Sequence, residues 1–166
     1  MFKDSVVSPL SVPPKNITYP PIPPMKISTR GRYGLRILMD LAQNDTETPR
    51  MISDICKSQN LSRKYIGRLI IPLCRAGLVV SRRGAKGGYL LNCDPKEVSL
   101  LEILEIMEGK VSVVSCVSCP QRCKRAKTCV ARDIWVEINN KIRSVFESLT
   151  LQQILDHHLG QNDFCL

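Results

Sequence analysis

Four cysteines lie close together in the second half of this 166-residue chain: Cys116, Cys119, Cys123 and Cys129. Thiolates are the usual ligands of structural zinc and of iron–sulfur clusters, and such dense spacing lets one loop wrap a metal centre. Basic residues interleave the cysteines: Arg122, Lys124, Arg125 and Lys127. Their positive field favours the thiolate form. The block therefore predicts a cysteine-ligated metal centre, with a metal-free thiol switch as the alternative.

The composition describes the protein that must position these thiols. Apolar residues make up 43% of the chain, charged residues 23% and aromatic residues 5%, which fits one compact domain or a domain with an appendage. No apolar run approaches the roughly 18 residues of a membrane span. We therefore expect a cytoplasmic protein with no membrane partner. In that compartment thiols stay reduced, so clustered cysteines favour metal ligands or redox groups over disulfides.

The net charge of +9 is concentrated in the middle of the chain. Residues 1–24 carry two Lys or Arg against one Asp or Glu, residues 25–92 thirteen against four, and residues 93–166 nine against ten, giving +1, +9 and −1. A basic segment of this kind is typical of a nucleic-acid partner, with a solvated basic face as the alternative.

The ends of the chain differ from its centre. Residues 1–24 contain seven of the eleven prolines and cannot form a regular helix or a central strand. We predict a disordered arm there, and we hypothesise from the change of composition at Met25 that translation starts at that residue. Residues 159–166 are predicted to be a tail.

Hydrophobic periodicity after Met25 predicts three helices. The first is capped by Thr29 and ends near Asn44. A short second helix covers residues 51–57, and a third begins after Ser62. Pro72 lies inside this third helix, where it predicts a kink or an early end.

Strands are predicted at residues 78–80 and 89–91, on either side of a basic, glycine-rich turn. Three helices followed by a basic hairpin predict a winged helix-turn-helix DNA-binding domain over residues 25–92.

Residues 93–130 are predicted to hold a linking helix and then the cysteine-rich loop. Ser99 and Glu102 form a capping box at the start of this helix, and Gly109 is its expected left-handed C-cap.

Residues 131–158 are predicted to form a long helix and a short terminal helix, the second capped by the pair Thr150 and Gln153. Apolar residues on the long helix recur at the a/d spacing of a coiled-coil seam: Trp135, Ile138, Ile142, Val145 and Leu149. Such a face predicts a dimerisation helix, with packing onto the chain's own core as the alternative.

The side chains predicted to contact DNA lie mainly on the third helix and in the wing. The second helix of a helix-turn-helix motif enters the major groove with its N-terminal residues toward the base edges. Cations in the wing suit phosphate or minor-groove contacts, and glycines let the backbone approach the duplex. Tyr65 suits a phosphate contact and the sealing of the motif's core equally. The predicted contacts are Ser28, Arg30, Ser62, Arg63, Lys64, Tyr65, Arg68, Arg82, Arg83, Gly84, Lys86, Gly87, Gly88 and Tyr89.

Four motifs carry a family resemblance: Met25-Lys-Ile-Ser-Thr-Arg-Gly-Arg-Tyr-Gly, Leu61-Ser-x-x-Tyr65-Ile66, Ala76-Gly-Leu-Val79-x-Ser81-x-Arg83-Gly-x-x-Gly-Gly-Tyr-x-Leu91 and Cys123-x5-Cys129-x2-Arg132-Asp-x-Trp135. Together they resemble the Rrf2 family of bacterial transcriptional regulators, which includes IscR, NsrR and CymR. The resemblance covers residues 25–158. It implies a homodimeric winged-helix DNA binder with a cluster-binding loop whose occupancy alters operator binding.

The same resemblance implies a ligand set. Three cysteines of the cluster-binding members match Cys116, Cys123 and Cys129. Arg132 stands where IscR has a histidine ligand, and Arg32 stands where NsrR has an acidic one. Neither arginine can ligate, so the extra thiol of Cys119 is the expected fourth ligand. We expect an iron–sulfur cluster of the 2Fe-2S type, with an exchangeable fourth ligand from solvent or a small thiol, zinc, or no metal as alternatives.

These observations predict a mainly α (α+β) protein: a winged helix-turn-helix domain with a long C-terminal dimerisation helix. The expected function is a DNA-binding transcriptional regulator, a repressor on a palindromic double-stranded operator, that senses iron–sulfur status or redox and nitrosative stress. The alternatives are a metal-free thiol-based redox or cysteine-metabolism repressor and, in another class, a zinc-stabilised interaction module. The sequence has no phosphate-binding glycine loop and no plausible catalytic triad, so we do not expect an enzyme. Gly67 stands where the family has an acidic recognition-helix residue, so no operator sequence is carried over.

Overall fold

A computed structural model describes residues 27–44, 47–84 and 86–160, with side chains through residue 157. The arm predicted at residues 1–24 lies outside the described residues, as does most of the predicted tail. The helix before that tail continues to Gly160, two residues beyond the predicted end at residue 158.

Three helices open the fold: α1 (Thr29–Ala42), α2 (Ile52–Gln59) and α3 (Arg63–Arg75). Ser28 is the N-cap of α1, where its hydroxyl oxygen accepts from the N–H of Arg30 at 3.1 Å. The predicted cap, Thr29, is therefore one residue late, and α1 ends two residues before the predicted Asn44. Ser62 caps α3 as predicted, by accepting from the N–H of Tyr65 at 3.3 Å.

Pro72 predicted a kink or an early end of α3, and the early end is wrong, because the helix continues to Arg75. Pro72 lies in the last turn, where its missing N–H deprives only the carbonyl of Arg68 of a helical donor. Leu73 is fully buried, and the N–H of Ala76 donates to the Pro72 carbonyl at 3.0 Å. Packing of the last turn thus offsets a loss confined to one hydrogen bond.

The wing is an antiparallel hairpin of β1 (Val79–Arg82) and β2 (Gly88–Leu91). A segment before α2 extends it: Arg50 and Tyr89 exchange two backbone hydrogen bonds of 2.9 Å. The side chain of Arg50 also forms an ion pair with Asp40 at 2.8 Å, and Asp40 is only 8% exposed. The wing is therefore anchored to α1 through Arg50.

Two glycines give opposite expectations for stability. A Cβ at Gly88 would lie 2.3 Å from the carbonyl oxygen of Arg50, whereas a Cβ at Gly67 would meet nothing within 4 Å. We expect Gly88→Ala to force β2 away from Arg50 and to lower the free energy of unfolding by roughly 1–3 kcal/mol. Gly67→Ala should raise it by roughly 0.5–1 kcal/mol, because alanine is the better helix former. Urea denaturation of both variants measures the difference, and equal stabilities would contradict this account of the wing.

Helix α4 (Leu100–Glu108) follows the wing. Its predicted cap is present, since the hydroxyl oxygen of Ser99 accepts from the N–H of Glu102 at 3.2 Å. Gly109 is the C-cap residue of α4 and has the positive φ (88°) expected of a glycine cap, but its ψ of −168° lies outside the left-handed helical region that the sequence predicted. Glycine adopts this conformation far more readily than a residue with a Cβ.

The cysteine-rich segment contains α5 (Ser115–Ser118) and a short 3-10 helix (Pro120–Arg122). The long helix α6 (Val130–Ser148) and the terminal helix α7 (Leu151–Gly160) complete the chain. Thr150 and Gln153 form a reciprocal capping box at α7, as predicted.

Among the described residues, the buried apolar side chains form one core that joins α1, α2, α3, α4 and α7. Helix α1 can pack closely on α4 because Gly34 has no side chain. A Cβ at this position would lie only 2.6 Å from Cγ of Met107. Helix α7 contributes the buried side chains of Leu151 and Leu155. The core thus extends beyond residues 25–92. The order of elements confirms the predicted mainly α (α+β), winged helix-turn-helix fold.

Helix α6 meets α4 through polar contacts. Asn139, which is 5% exposed, accepts from the N–H of Val113 at 3.1 Å. Arg143 donates to the carboxylate of Glu105, and this hydrogen bond is the main reason that the pKa of Glu105 is lowered. No helix within the described ranges is long and apolar enough to cross a membrane.

Candidate nucleic-acid interface and cysteine loop

Six predicted DNA-contact cations are exposed, on the first half of α3 and around the wing turn. They are Arg63, Lys64, Arg68, Arg82, Arg83 and Lys86. Cations in this arrangement can neutralise phosphates along a duplex while the start of α3 meets the base edges.

Tyr65 joins the start of α3 to the start of α1. Its ring lies edge-on to that of Tyr33 with centroids 6.0 Å apart, and its hydroxyl donates to the hydroxyl oxygen of Thr29 at 3.5 Å. Of the two roles left open by the sequence, this packing favours sealing of the helical core. It also brings the exposed Arg30 close to the cationic start of α3.

Two predicted hydroxyl contacts are used as helix caps. The oxygens of Ser28 and Ser62 accept from backbone N–H groups at the start of α1 and α3. A hydroxyl that accepts in this way still has its own O–H to donate. Both serines can therefore cap a helix and donate to a phosphate.

The wing glycines permit close approach within the chain itself. A Cβ at Gly87 would lie 2.4 Å from the carbonyl oxygen of Arg82, and Gly84 has φ 116°. Tyr89 pairs its main chain with Arg50, and its half-buried ring packs against the core. Gly87 and Tyr89 thus shape the wing, and the exposed wing cations are the groups available to DNA.

Sequence reasoning missed Glu108, at the end of α4. Its carboxylate accepts from the N–H of Ser28 at 2.9 Å and from the N–H of Gly31 at 3.2 Å. A carboxylate at this position neutralises the positive end of the α1 dipole. Glu108 therefore fixes the end of α1 that carries Arg30. Ser28 and Glu108 are 80 positions apart, and no local pattern marks the pair.

Sequence reasoning also missed Arg50, which anchors the wing. A single arginine after a proline carries no local signal for a strand pairing 39 positions away, between Arg50 and Tyr89.

The four loop cysteines are half-buried, and none of them is in a disulfide. Cys129 is the N-cap residue of α6, and Cys123 ends the 3-10 helix. The side chain of Arg132 donates to the carbonyl of Cys116 at 3.3 Å, which ties the start of the loop to α6. Over the ranges that the structure describes, no three His, Cys, Asp or Glu side chains are gathered closely enough to hold a metal ion.

The donor chemistry of the loop nevertheless fits an iron–sulfur cluster, because four free thiols lie on one short segment. Neither α5 nor the 3-10 helix has a buried residue, so no hydrophobic core fixes the shape of the loop. Ligation can supply the ordering energy that such a core would otherwise provide. A cavity of about 510 Å³ opens beside Cys129, between the loop and the start of α6.

Two cysteines outside the loop, Cys74 and Cys93, are poor sensors. Burial, followed by the nearby carboxylates of Glu102 and Asp94, raises the pKa of Cys93 to about 11. Burial also raises the pKa of Cys74. A thiol that stays protonated at neutral pH is a weak nucleophile and a weak metal ligand.

The predicted dimerisation seam is partly exposed. Trp135 is 40% exposed, Val145 57% and Leu149 38%, and Ile134 beside the seam is also exposed. Ile138 and Ile142 are half-buried, and Ile142 lines a cavity of about 280 Å³ between α4 and α6. One side of α6 thus contacts its own chain, and an apolar side remains open.

Comparisons with known proteins agree with this geometry. The Rrf2 family model, described as an iron-dependent transcriptional regulator, matches residues 27–157. The chain is similar to the HTH-type transcriptional regulator CymR of Bacillus subtilis, with 36% identity over 139 residues, or 84% of this chain and 96% of that protein. The solved structure of B. subtilis CymR, the global cysteine regulator, aligns with a TM-score of 0.66 and 37% identity over 80% of this chain and 98% of that one. T. potens IscR aligns with a TM-score of 0.66 and 33% identity over 83% of this chain and 92% of that one.

Proposed function

Because this chain belongs to the Rrf2 family of transcriptional regulators, we propose that it binds a palindromic operator as a cytoplasmic homodimer and represses transcription according to the state of its cysteine loop. Within this family it is a transcriptional regulator and not an enzyme. The observation that carries the proposal is the exposed cationic surface of α1, α3 and the wing, which is built on the same core as the helix leading into the loop.

The N-terminal half of α3 enters the major groove, and the wing cations bind the flanking phosphates. A dimer then reads two half-sites about one helical turn, roughly 34 Å, apart. Arg68 is exposed one turn into α3, where a guanidinium can reach a guanine edge.

Replacement of Arg68 and replacement of Arg82 should therefore weaken DNA binding in different ways. We expect Arg68→Ala to cost roughly 1–3 kcal/mol on the operator and to relax specificity at one base position, because the guanidinium that reads a base edge is removed. Arg82→Ala should weaken operator and mixed-sequence DNA alike, because phosphate contacts carry no sequence information. Fluorescence anisotropy with both duplexes measures the two ratios. Equal losses of Arg68→Ala on the two duplexes would contradict a base-reading role.

The loop is the sensor in this proposal. Cys116, Cys123 and Cys129 would hold an iron–sulfur cluster, with Cys119 as the fourth ligand. When bound, the cluster would supply a redox-active centre whose state depends on iron, sulfide and oxidants. Arg132 ties the start of the loop to α6, so a change in loop shape reaches the dimerisation helix.

The same change can reach the DNA-binding surface. The loop follows α4, whose Glu108 holds the start of α1. Two arrangements of the loop would thus favour two positions of the DNA-binding elements, as a two-state switch requires.

Spectra and metal analysis of anaerobically purified protein test the sensor. Visible absorption with matched iron and sulfide, which disappears in air, is the expected result. A colourless protein that regains no cluster on reconstitution, with or without zinc, would overturn it.

A metal-free thiol switch is the second candidate. It is favoured by the absence of any gathered ligand set in the described part of the chain, and by similarity to CymR, the global cysteine regulator of B. subtilis. In that case one or two loop thiols would be oxidised or paired. Operator binding that responds to peroxide in a metal-free preparation is its expected signature.

A further inference from the structure

We propose that the cysteine loop is itself a DNA-contacting surface, whose exposed cations bind backbone phosphates beside the site read by α3. The inference rests on the proposed DNA-binding function and adds a second electrostatic contact to it. Its ligand is the phosphate backbone of duplex DNA, not a base sequence.

Charge is the first observation. Residues 109–132 contain six Lys or Arg and no Asp or Glu, whereas the rest of residues 93–166 contains three Lys or Arg and ten Asp or Glu. Residues 93–166 are therefore nearly neutral overall, although they contain a segment of charge +6 between two acidic segments. The chain therefore has two basic surfaces, the winged helix and this loop, and the acidic remainder of residues 93–166 offsets part of their charge.

Exposure is the second observation. Four of the six cations fall within residues 122–127, and all four are exposed: Arg122, Lys124, Arg125 and Lys127. Arg132, by contrast, is half-buried and donates to the carbonyl of Cys116. Four like charges on so short a segment repel one another, and a polyanion relieves that repulsion. The loop cysteines are half-buried, so their side chains do not cover charges that extend into solvent.

Position is the third observation. Glu108 contacts the start of α1, and Ser115 begins α5 only seven residues later. Seven residues span at most about 25 Å even when fully extended. Ile27, just before α1, and Val113 line one cavity, so the segment that leads into the loop lies beside the end of α1 that carries the exposed Arg30. In this proposal the loop cations meet phosphates that flank the major-groove site.

The test is the salt dependence of binding to a mixed-sequence DNA duplex, because phosphate contacts form on any DNA sequence and need no operator. The variant replaces Arg122, Lys124, Arg125 and Lys127 with Gln. The matched control for the twofold loop variant Lys124→Gln with Lys127→Gln is Lys96→Gln with Lys141→Gln, because both of these lysines are exposed and lie outside the winged helix and the loop. Arg82→Gln with Arg83→Gln serves as the positive control. Anisotropy over a salt series gives the slope of log affinity against log salt.

We expect the loop variant to reduce the slope by about 0.9 for each phosphate that its cations no longer neutralise, or roughly two to four in total. The matched control should reduce it by less than one. Charge-conserving Arg122→Lys with Arg125→Lys should keep the wild-type slope. Iron and zinc are measured in every preparation, and the series is repeated after chelation under reducing conditions, so that a change in metal content cannot mimic the removal of a phosphate contact.

The outcomes separate this inference from the proposed function. If the wild type binds duplex DNA and the wing variant weakens it, but the loop variant has the wild-type slope, the loop inference is wrong and DNA binding stands. Equal slopes for the twofold loop variant and its matched control would also overturn it. If the wild type binds no duplex even at low salt, the proposed function itself fails. Should the fourfold variant not fold, Lys124→Gln with Lys127→Gln must show about half the effect.

Discussion

Serine at Cys116, Cys123 or Cys129 should abolish the proposed metal centre and the response of operator binding to it. Each replacement removes one thiolate from a site with at most four on the loop, and serine does not substitute for a thiolate toward iron. We expect iron and sulfide per protomer to fall to background in each variant. Operator affinity should become the same for anaerobic and air-exposed protein. Metal analysis and anisotropy on matched preparations measure both effects.

Cys74→Ser and Cys93→Ser are the matched controls. Both residues lie outside the loop, and burial raises the pKa of each thiol. They should retain the cluster and the response to air. If a loop serine variant keeps full iron content, that cysteine is not a ligand. If only one or two loop positions matter and the wild type holds no metal, the thiol switch replaces the cluster sensor.

Cys119→Ser tests the departure from the family pattern. As the fourth ligand, Cys119 should be as necessary as its three neighbours. A Cys119→Ser variant with full cluster content would assign the fourth position to solvent or a small thiol instead.

Local signals in the sequence account for most of the helical architecture. Ser62, Ser99 and the pair Thr150 and Gln153 each accept from an N–H within three residues. A capping interaction of that range can be read from residue type and spacing alone. The starts of α3, α4 and α7 were therefore predictable from local signals.

Contacts between distant parts of the chain were not predictable in this way. The hydrogen bonds of Glu108 to the start of α1 and of Arg50 to the wing depend on how elements pack, not on neighbours in sequence. The early end of α3 predicted at Pro72 was wrong for the same reason, because burial of Leu73 stabilises the last turn of the helix. Propensity rules omit that packing.

In the candidate site, too, properties set by residue type were predictable from the sequence, whereas properties set by packing were not. Exposure of Arg63, Arg68 and Arg82 follows from a charge being costly to bury, so residue type sufficed. Tyr65 was ambiguous because a phenol suits both a core and a phosphate, and only its packing on Tyr33 favours one of them. The cysteines specify the donor type, but the loop has no core that fixes how its thiols meet.

Charge on the open face of α6 should separate the dimer and weaken operator binding strongly. Val145 is 57% exposed and lies on the apolar face with Trp135 and Leu149, which we propose is covered by the partner helix. In a symmetric dimer, Val145→Asp places an unpaired carboxylate in the interface twice. We expect dimer affinity to fall by roughly a hundredfold or more, about 3 kcal/mol. Sedimentation equilibrium measures this directly.

Asn140→Asp adds the same charge to the same helix but on another face, where Asn140 is exposed. It should leave both the dimer and operator affinity close to wild type. Val145→Asp should lose operator affinity because a monomer engages one half-site and forfeits the effective concentration of the second. A Val145→Asp variant that stays dimeric would exclude this face from the interface. A monomeric variant with wild-type operator affinity would show that each DNA-binding domain binds its half-site independently. Separation of the protomers lowers operator affinity only if binding of one domain raises the effective concentration of the other.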